Sequence, residues 1–283
     1  MDSSDSIAEL VKVVLRVRPR VDSLPAHPQH NVAVSNSTQD PTCVSILGRH
    51  QVKILSSKIL SVNSVAETFG SPSGREKKEK IFNFETILGP DSTQENTYST
   101  VSDTVYSSVL GYNAAIFAYG STGTGKTYTM TGTRHHPGLI PRVIEDIFRG
   151  IQNVRSQNKE VMFHVELSYV EMYNNGFRNL LRAVSDEVSR VEAINGDSDM
   201  LQSELDELLQ VGISEAAFEQ GVSRFVDLSH KLDKITVHES AATGVYLCGP
   251  NIRIPVQSVF AAHRLFAIGN KQRAETTRNS YDR

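Results

Sequence analysis

The sequence predicts an α/β fold in which a mainly parallel central sheet is flanked by helices. Short β-branched or apolar runs alternate with stretches of helical periodicity, which is typical of parallel sheets with helical crossovers. One apolar run leads directly into a glycine-rich turn followed by a helical pattern, as in strand–loop–helix phosphate sites. Of the 283 residues, 39% are hydrophobic, enough to bury a large core.

Composition excludes several classes of protein. No apolar run approaches the roughly 20 residues that a membrane-spanning helix requires. The polar, acidic start MDSSDSIAEL does not resemble a secretory signal. The two cysteines, Cys43 and Cys248, are far apart in sequence, so we expect a reducing compartment and no disulfide framework. No Lys/Arg run has the strength of a nucleic-acid-binding arm.

The first elements are strands. Residues 11–17 (VKVVLRV) form a β-branched run that ends before Pro19, and residues 81–84 alternate in polarity; both patterns predict strands. Between them, residues 20–80 read as a small hairpin region with long loops, in which REKKEK (75–80) is expected to be a solvated turn. Residues 1–8 are expected to be disordered.

The middle of the chain alternates helices with strands. Ser92 and Glu95 fit a capping box, and Tyr98 to Val109 continue at helical spacing until Gly111. Residues 114–119 (AAIFAY) resemble a strand buried on both faces. Further along, the patterns predict a helix over 140–151, a long strand over 161–172, strands and turns over 235–255, and a last helix over 258–273.

Residues 183–233 behave differently from the rest. They hold twelve acidic and three basic residues, a net charge of −9 in a chain whose total is −3. Apolar stripes at helical spacing on either side of Gly212 predict a short helical hairpin. Because the strand pattern resumes at residue 235, we interpret this segment as an acidic helical insertion.

The strongest motif is a phosphate-binding loop. Its glycines let backbone N–H groups approach phosphates, and the following helix adds its positive end. The lysine supplies a charge for the β- and γ-phosphates, and the last residue a hydroxyl for Mg²⁺. The pattern G-x-x-x-x-G-K-[ST] is matched by Gly120, Ser121, Thr122, Gly123, Thr124, Gly125, Lys126 and Thr127.

The flanks of this loop identify the family that the sequence resembles. GYNAAIFAY (111–119) precedes the loop and YTMTG (128–132) follows it, in a combination similar to the kinesin motor domain. Further matches occur in the family's order: RVRP at 16–19, GLIPR at 138–142, SYVEMYN at 168–174, GVY at 244–246 and GNKQR at 269–273. The resemblance covers most of residues 9–283, apart from the insertion and parts of 20–80.

The resemblance implies roles for individual residues. Arg16, Arg18 and Pro19 match the motif that flanks the adenine, and Tyr128 matches the aromatic residue that packs on the base. Without the family match, a solvated strand end and an ordinary core aromatic would be favoured instead. The implied ligands are ATP or ADP with Mg²⁺, the implied partner is the microtubule, and the implied location is the cytoskeleton.

The two switch motifs of the family do not occur in this sequence, which reaches Arg283 about where the first would begin. Since hydrolysis requires groups that position water and sense the γ-phosphate, we assign no catalytic residue. We expect an incomplete, marginally stable motor domain. The leading interpretation is a microtubule motor ATPase; the alternative is a non-motile remnant that binds nucleotide or acts structurally, and a phosphate-loop kinase is remote.

Three further features of the sequence bear on metal binding and on partner binding. Phe225 to Leu228 (FVDL) resembles the second switch, but its position in the order of motifs is wrong, so Asp227 is not assigned a Mg²⁺ role. His135, His136 and His164 lack the spacing of metal ligands. The charge of the insertion is expected either to oppose attraction to acidic tubulin or, if the hairpin docks elsewhere, to have no such effect.

Overall fold

The computed structural model describes residues 11–19, 44–57, 77–173, 175–186, 233–241, 244–250 and 252–281. The chain divides into two compact units, Met1–Arg142 and Val143–Arg283. The expected disorder of residues 1–8 and the helical hairpin expected inside the acidic insertion lie outside the described residues, and so do Cys43 and Asp227.

Two small sheets form the strand layer of the first unit. Strand β1 (Val14–Arg16) pairs in parallel with β5 (Thr86–Leu88), although these two strands are far apart in sequence. Strands β2 (Val44–Ile46), β3 (Gln51–Ser57) and β4 (Lys77–Asn83) make an antiparallel sheet in chain order. The strand predicted over 11–17 is present but covers only Val14–Arg16, and a hairpin is present in residues 44–57 of the predicted hairpin region, while residues 20–43 and 58–76 lie outside the described residues.

The expectation of a solvated turn at 75–80 was wrong over residues 77–80. These residues belong to β4, where Lys80 lies opposite Ile54 and Glu79 opposite Leu55. A cross-strand ion pair joins the Lys53 ammonium to the Glu79 carboxylate at 3.2 Å. Opposite charges on neighbouring strands attract one another. This ion pair therefore helps a charged run to continue as a strand.

The predicted helix after residue 92 is present but is divided and begins one residue later. It consists of α1 (Gln94–Ser99) and α2 (Ser102–Val109). The cap is Thr93, whose hydroxyl accepts from the Asn96 amide at 3.2 Å while the Thr93 amide donates to the Asn96 side chain at 3.0 Å. The capping box therefore uses asparagine as its third-position partner, not Glu95.

The apolar run at 114–119 is not a buried strand. No strand is formed over residues 113–119, and the side chains of Phe117 and Tyr119 are 78% and 97% exposed. A strand exists only through its ladder hydrogen bonds, and among the described residues this run has no partner strand. The prediction of a buried strand was therefore wrong, although the run is apolar.

Helices α3 (Lys126–Met130) and α4 (Leu139–Gln157) follow, and the boundary between the two units falls within α4. The predicted helix over 140–151 is confirmed and is longer than expected. In the described residues no helix combines the length and the apolar character needed to cross a bilayer.

The second unit packs short strands against a long terminal helix, α5 (Val259–Tyr281). The predicted strand over 161–172 is interrupted, because residues 161–165 and 168–169 are not in strand conformation. The hydrophobic core of the second unit includes Phe148, Leu181, Val184, Ile254, Val256, Leu265 and Ile268. Its antiparallel pairs are β6 (Glu166–Leu167) with β11 (Ile254–Pro255), β7 (Val170–Tyr173) with β8 (Gly176–Asn179), and β9 (Thr236–Ser240) with β10 (Gly244–Cys248).

The described residues on either side of residues 187–232 lie close together. The Asp233 carboxylate accepts from the Asn179 amide at 2.6 Å and lies 3.3 Å from the Arg182 guanidinium. The same guanidinium is 3.8 Å from Asp186, the last described residue before the segment. One arginine thus contacts an acid on each side of residues 187–232.

Candidate nucleotide-binding site

The loop 120–125 has the backbone conformation that its glycines were predicted to supply. Gly123 and Gly125 have φ values of 83° and 102°, which residues with a Cβ rarely adopt. A Cβ built on either glycine would meet no atom within 4 Å, so both conformations leave open space beside the backbone. A loop with this shape fits a phosphate group, which needs close access to main-chain N–H groups.

Lys126 lies at the start of α3 and reaches back over the loop. Its ammonium donates to the carbonyl oxygens of Gly120 and Ser121 at 2.9 and 2.8 Å. Thr124 stabilises the same turn, since its hydroxyl donates to the Ser121 carbonyl at 2.9 Å. The side chain of Thr127 follows Lys126 and is exposed. The loop therefore carries an ammonium and an accessible hydroxyl in adjacent positions.

A second cation contacts the loop from the segment that follows β1. The guanidinium of Arg18 donates to the carbonyl of Gly123, in the middle of the loop. Arg18 is exposed, whereas Pro19, the next residue, is half-buried at the end of the described segment 11–19. The sequence associated both residues with the adenine, but the structure places Arg18 against the phosphate-type loop itself.

Arg16 and Tyr128 form the other side of the site. The guanidinium carbon of Arg16 lies 5.3 Å from the centre of the Tyr128 ring, within the range of a cation–π contact. Arg16 also donates to the Thr129 hydroxyl at 3.0 Å. Burial lowers the pKa of Arg16, an effect that Tyr128 partly opposes; an arginine nevertheless stays charged at neutral pH. The Tyr128 ring remains 42% exposed and available to a further planar group.

The sequence did not identify two residues of this cluster. Gln94 is buried and accepts from Arg16 at 2.9 Å, while its amide nitrogen donates to the Tyr128 carbonyl at 2.7 Å. In the sequence, Gln94 stands in the capping stretch at the end of a segment that resembles the family, and Thr129 in the motif that follows the loop, and neither pattern gives these residues a role. A glutamine inside a capping sequence carries no signal of burial, so a tertiary contact of this kind could not have been found from local pattern.

The turn after α3 connects the site to α4. Gly132 and Pro137 form an isolated bridge, and Arg142 donates to the Pro137 carbonyl at 3.0 Å. Arg142 also forms an ion pair with Glu95 in the first turn of α1. A hydrogen bond from its own backbone amide, then those from the Thr93 side chain and from Arg142, lower the pKa of Glu95. The GLIPR motif thus ties the segment after α3 to the helix that carries Gln94.

Metal ligation by protein carboxylates, histidines or cysteines finds no support in the described part of the chain. No three such side chains come together there. His164 contacts Glu166 at 3.3 Å in an exposed pair on one strand edge.

The sequence matches one protein-family model and is similar to several known proteins. Residues 16–281 match the Kinesin motor domain family. Mouse Kinesin-like protein KIF19 is 32% identical over 181 residues, which are 64% of this chain and 16% of that protein. Kinesin-like protein KIN-8B of Arabidopsis thaliana is 45% identical over 108 residues, which are 38% of this chain and 13% of that protein.

A solved structure with the same fold is the motor domain of the Kar3-like kinesin from Ashbya gossypii. The TM-score is 0.53 at 20% identity, over 90% of this chain and 57% of that one. This likeness confirms the predicted α/β class. The chain spans only 13–16% of the length of the two curated relatives above. Since the family match extends over nearly all of the sequence, the chain belongs to the kinesin motor domain family.

Proposed function

We propose that this chain binds ATP or ADP with Mg²⁺ at the loop 120–127 and serves as the nucleotide-binding part of a microtubule-based motor. The observation that carries the proposal is the loop conformation, with Gly123 and Gly125 at positive φ and the Lys126 ammonium folded over the loop. This arrangement suits a polyphosphate, which can accept from the backbone amides and from Lys126 at once.

The residues divide between the two ends of the nucleotide. The backbone of Gly120 to Gly125 wraps the phosphates, Lys126 supplies a positive charge to the β- and γ-phosphates, and the exposed hydroxyl of Thr127 holds Mg²⁺. Bound Mg²⁺ neutralises charge on the phosphate oxygens. At the other end, Tyr128 offers its exposed ring to adenine, with Arg16, Arg18 and Pro19 around it. Because Arg18 contacts Gly123, it also adds positive potential on the phosphate side.

In the complete motor, ATP hydrolysis would be coupled to movement along microtubules. That step requires groups that position the attacking water and respond to the γ-phosphate, and the switch motifs that supply them in the family are not within residues 1–283. The proposal for this chain is therefore binding, and hydrolysis belongs to the complete motor. Microtubules are the proposed partner and the cytoskeleton the proposed location. The family match favours this function over a non-motile structural remnant.

The test is nucleotide affinity of the 283-residue chain, measured with a fluorescent ADP analogue and Mg²⁺. Replacing Lys126 by alanine should weaken binding by about 10- to 150-fold, since a hydrogen bond to a charged group contributes about 1.5–3 kcal/mol. The Thr127→Val variant should lose the dependence of affinity on Mg²⁺ while keeping most binding without the metal. Lys53→Ala, which removes a half-buried lysine of β3 that pairs with Glu79, is the control. Unchanged affinity in both loop variants would refute the proposal.

A further inference from the structure

Gln94 is the most deeply buried polar side chain near the loop. It lies in the first turn of α1 and is only 3% exposed. A primary amide withdrawn from water is costly unless its groups are hydrogen-bonded. Here both functions are used, because the oxygen accepts from Arg16 at 2.9 Å and the nitrogen donates to the Tyr128 carbonyl at 2.7 Å.

These two bonds join three elements that are distant in sequence. Arg16 belongs to β1, Gln94 to α1 and Tyr128 to α3. Arg16 also contacts α3 directly, because it donates to the Thr129 hydroxyl at 3.0 Å and lies over the Tyr128 ring. Because the amide bonds the backbone of Tyr128 and the guanidinium that covers its ring, it determines the position of both relative to α1.

We infer that Gln94 is a positioning residue for the base-binding side of the nucleotide site. This inference rests on the proposed function. Among the described hydrogen bonds, the Gln94 side chain makes none to the residues assigned to the phosphates: Lys126 donates to the carbonyls of Gly120 and Ser121, and Arg18 to that of Gly123. Loss of the Gln94 bridge should therefore release Arg16 and Tyr128 while the loop keeps its own contacts. Affinity for the base should fall, and affinity for the phosphates should not.

Two substitutions separate the two hydrogen bonds. Gln94→Met has a similar volume and removes both. Gln94→Glu keeps an acceptor for Arg16 but has no donor for the Tyr128 carbonyl. Glu95→Gln, on the same helical turn, is the matched control: its side chain is exposed and binds Arg142. A purely structural role for Gln94 would weaken all ligands together, so the readout compares ATP with inorganic tripolyphosphate, each with Mg²⁺.

In Gln94→Met we expect ATP affinity to fall by about tenfold, the equivalent of one charged hydrogen bond, while tripolyphosphate affinity changes by less than about twofold. Gln94→Glu should retain more of the ATP preference than Gln94→Met, and Glu95→Gln should retain all of it. Equal losses for both ligands, or no loss for ATP, would overturn the inference.

Amide hydrogen exchange without nucleotide distinguishes this inference from the proposed function. In Gln94→Met and Gln94→Glu, exchange over α3 should be faster than in the unaltered chain, and in Glu95→Gln it should not. If the unaltered chain binds neither ATP nor tripolyphosphate, the proposed function fails, and the exchange rates still show whether Gln94 holds α3. Unchanged exchange over α3 in both Gln94 variants would refute the positioning role on its own.

Discussion

Gly269 lies in α5 where the ring of Tyr169 packs against the helix backbone. A Cβ added at this position would lie 2.2 Å from Cδ1 and 2.7 Å from Cε1 of Tyr169. The ring has little freedom to retreat, since its hydroxyl donates to Asn270 at 2.9 Å and its face stacks on Phe266 with ring centres 5.9 Å apart. The substitution Gly269→Ala should therefore be destabilising, although alanine normally favours a helix.

The magnitude follows from three contributions. Overpacking of a well-filled site costs about 1–3 kcal/mol, and displacement of the ring adds about 0.5–1.5 kcal/mol when the bond to Asn270 is lost. The higher helix propensity of alanine returns about 1 kcal/mol. The net loss is about 0.5–3.5 kcal/mol, compared with the roughly 5–15 kcal/mol that is typical of a whole domain.

Urea unfolding of the 283-residue chain, followed by circular dichroism, measures this loss. Gly48→Ala is the control, because no atom lies within 4 Å of the Cβ built there. The double variant Tyr169→Ala with Gly269→Ala tests the cause: once the ring is absent, the added methyl should be neutral or stabilising relative to Tyr169→Ala alone. If Gly269→Ala is as stable as the unaltered chain, or if its effect is the same without the ring, the steric explanation is wrong.

Two further predictions concern charge. His263 of α5 lies 3.6 Å from Glu145 of α4, and burial lowers the pKa of His263. Folding therefore favours the neutral imidazole, so the free energy of unfolding should fall as the pH drops below about 6.5. In urea unfolding at pH 7.5 and 5.5, His263→Gln should lose less stability than the unaltered chain, and an equal loss would contradict this. In a complete motor, deletion of residues 187–232, which keeps the Asp186 and Asp233 contacts, removes a net charge of −7. It should raise microtubule affinity and increase its salt dependence, whereas an unchanged salt slope would refute the repulsion.

Motifs with a local conformational requirement were the easiest to predict from sequence. The phosphate loop needs glycine at positive φ, and Gly123 and Gly125 adopt it. The cap before α1 was placed within one residue, because Ser92 and Thr93 are equally suited to the role and only the fold selects between them. The local sequence therefore predicted that a loop and a helix cap would form. The residue that acts as the cap depended on contacts with the rest of the fold.

Features that depend on distant partners were not predictable in the same way. Residues 114–119 have the composition of a buried strand, yet Phe117 and Tyr119 are exposed because no described strand lies beside them. Residues 77–80 are charged, yet they extend β4 because β3 pairs with them. The burial of Gln94 likewise depends on Arg16, which lies 78 residues away in sequence. Periodicity reports the polarity of a side chain but not the element that it will meet.

The loop keeps its conformation although the run that precedes it is unpaired. In a strand–loop–helix site, the strand and the helix normally hold the loop at both ends. Here α3 is only five residues long and residues 113–119 form no ladder. Side chains supply part of the described support instead: Lys126 donates to the carbonyls of Gly120 and Ser121, and Arg18 donates to that of Gly123. Since Arg18 follows β1 and lies outside the motif, the phosphate loop is held in part by a segment that contributes no glycine to it.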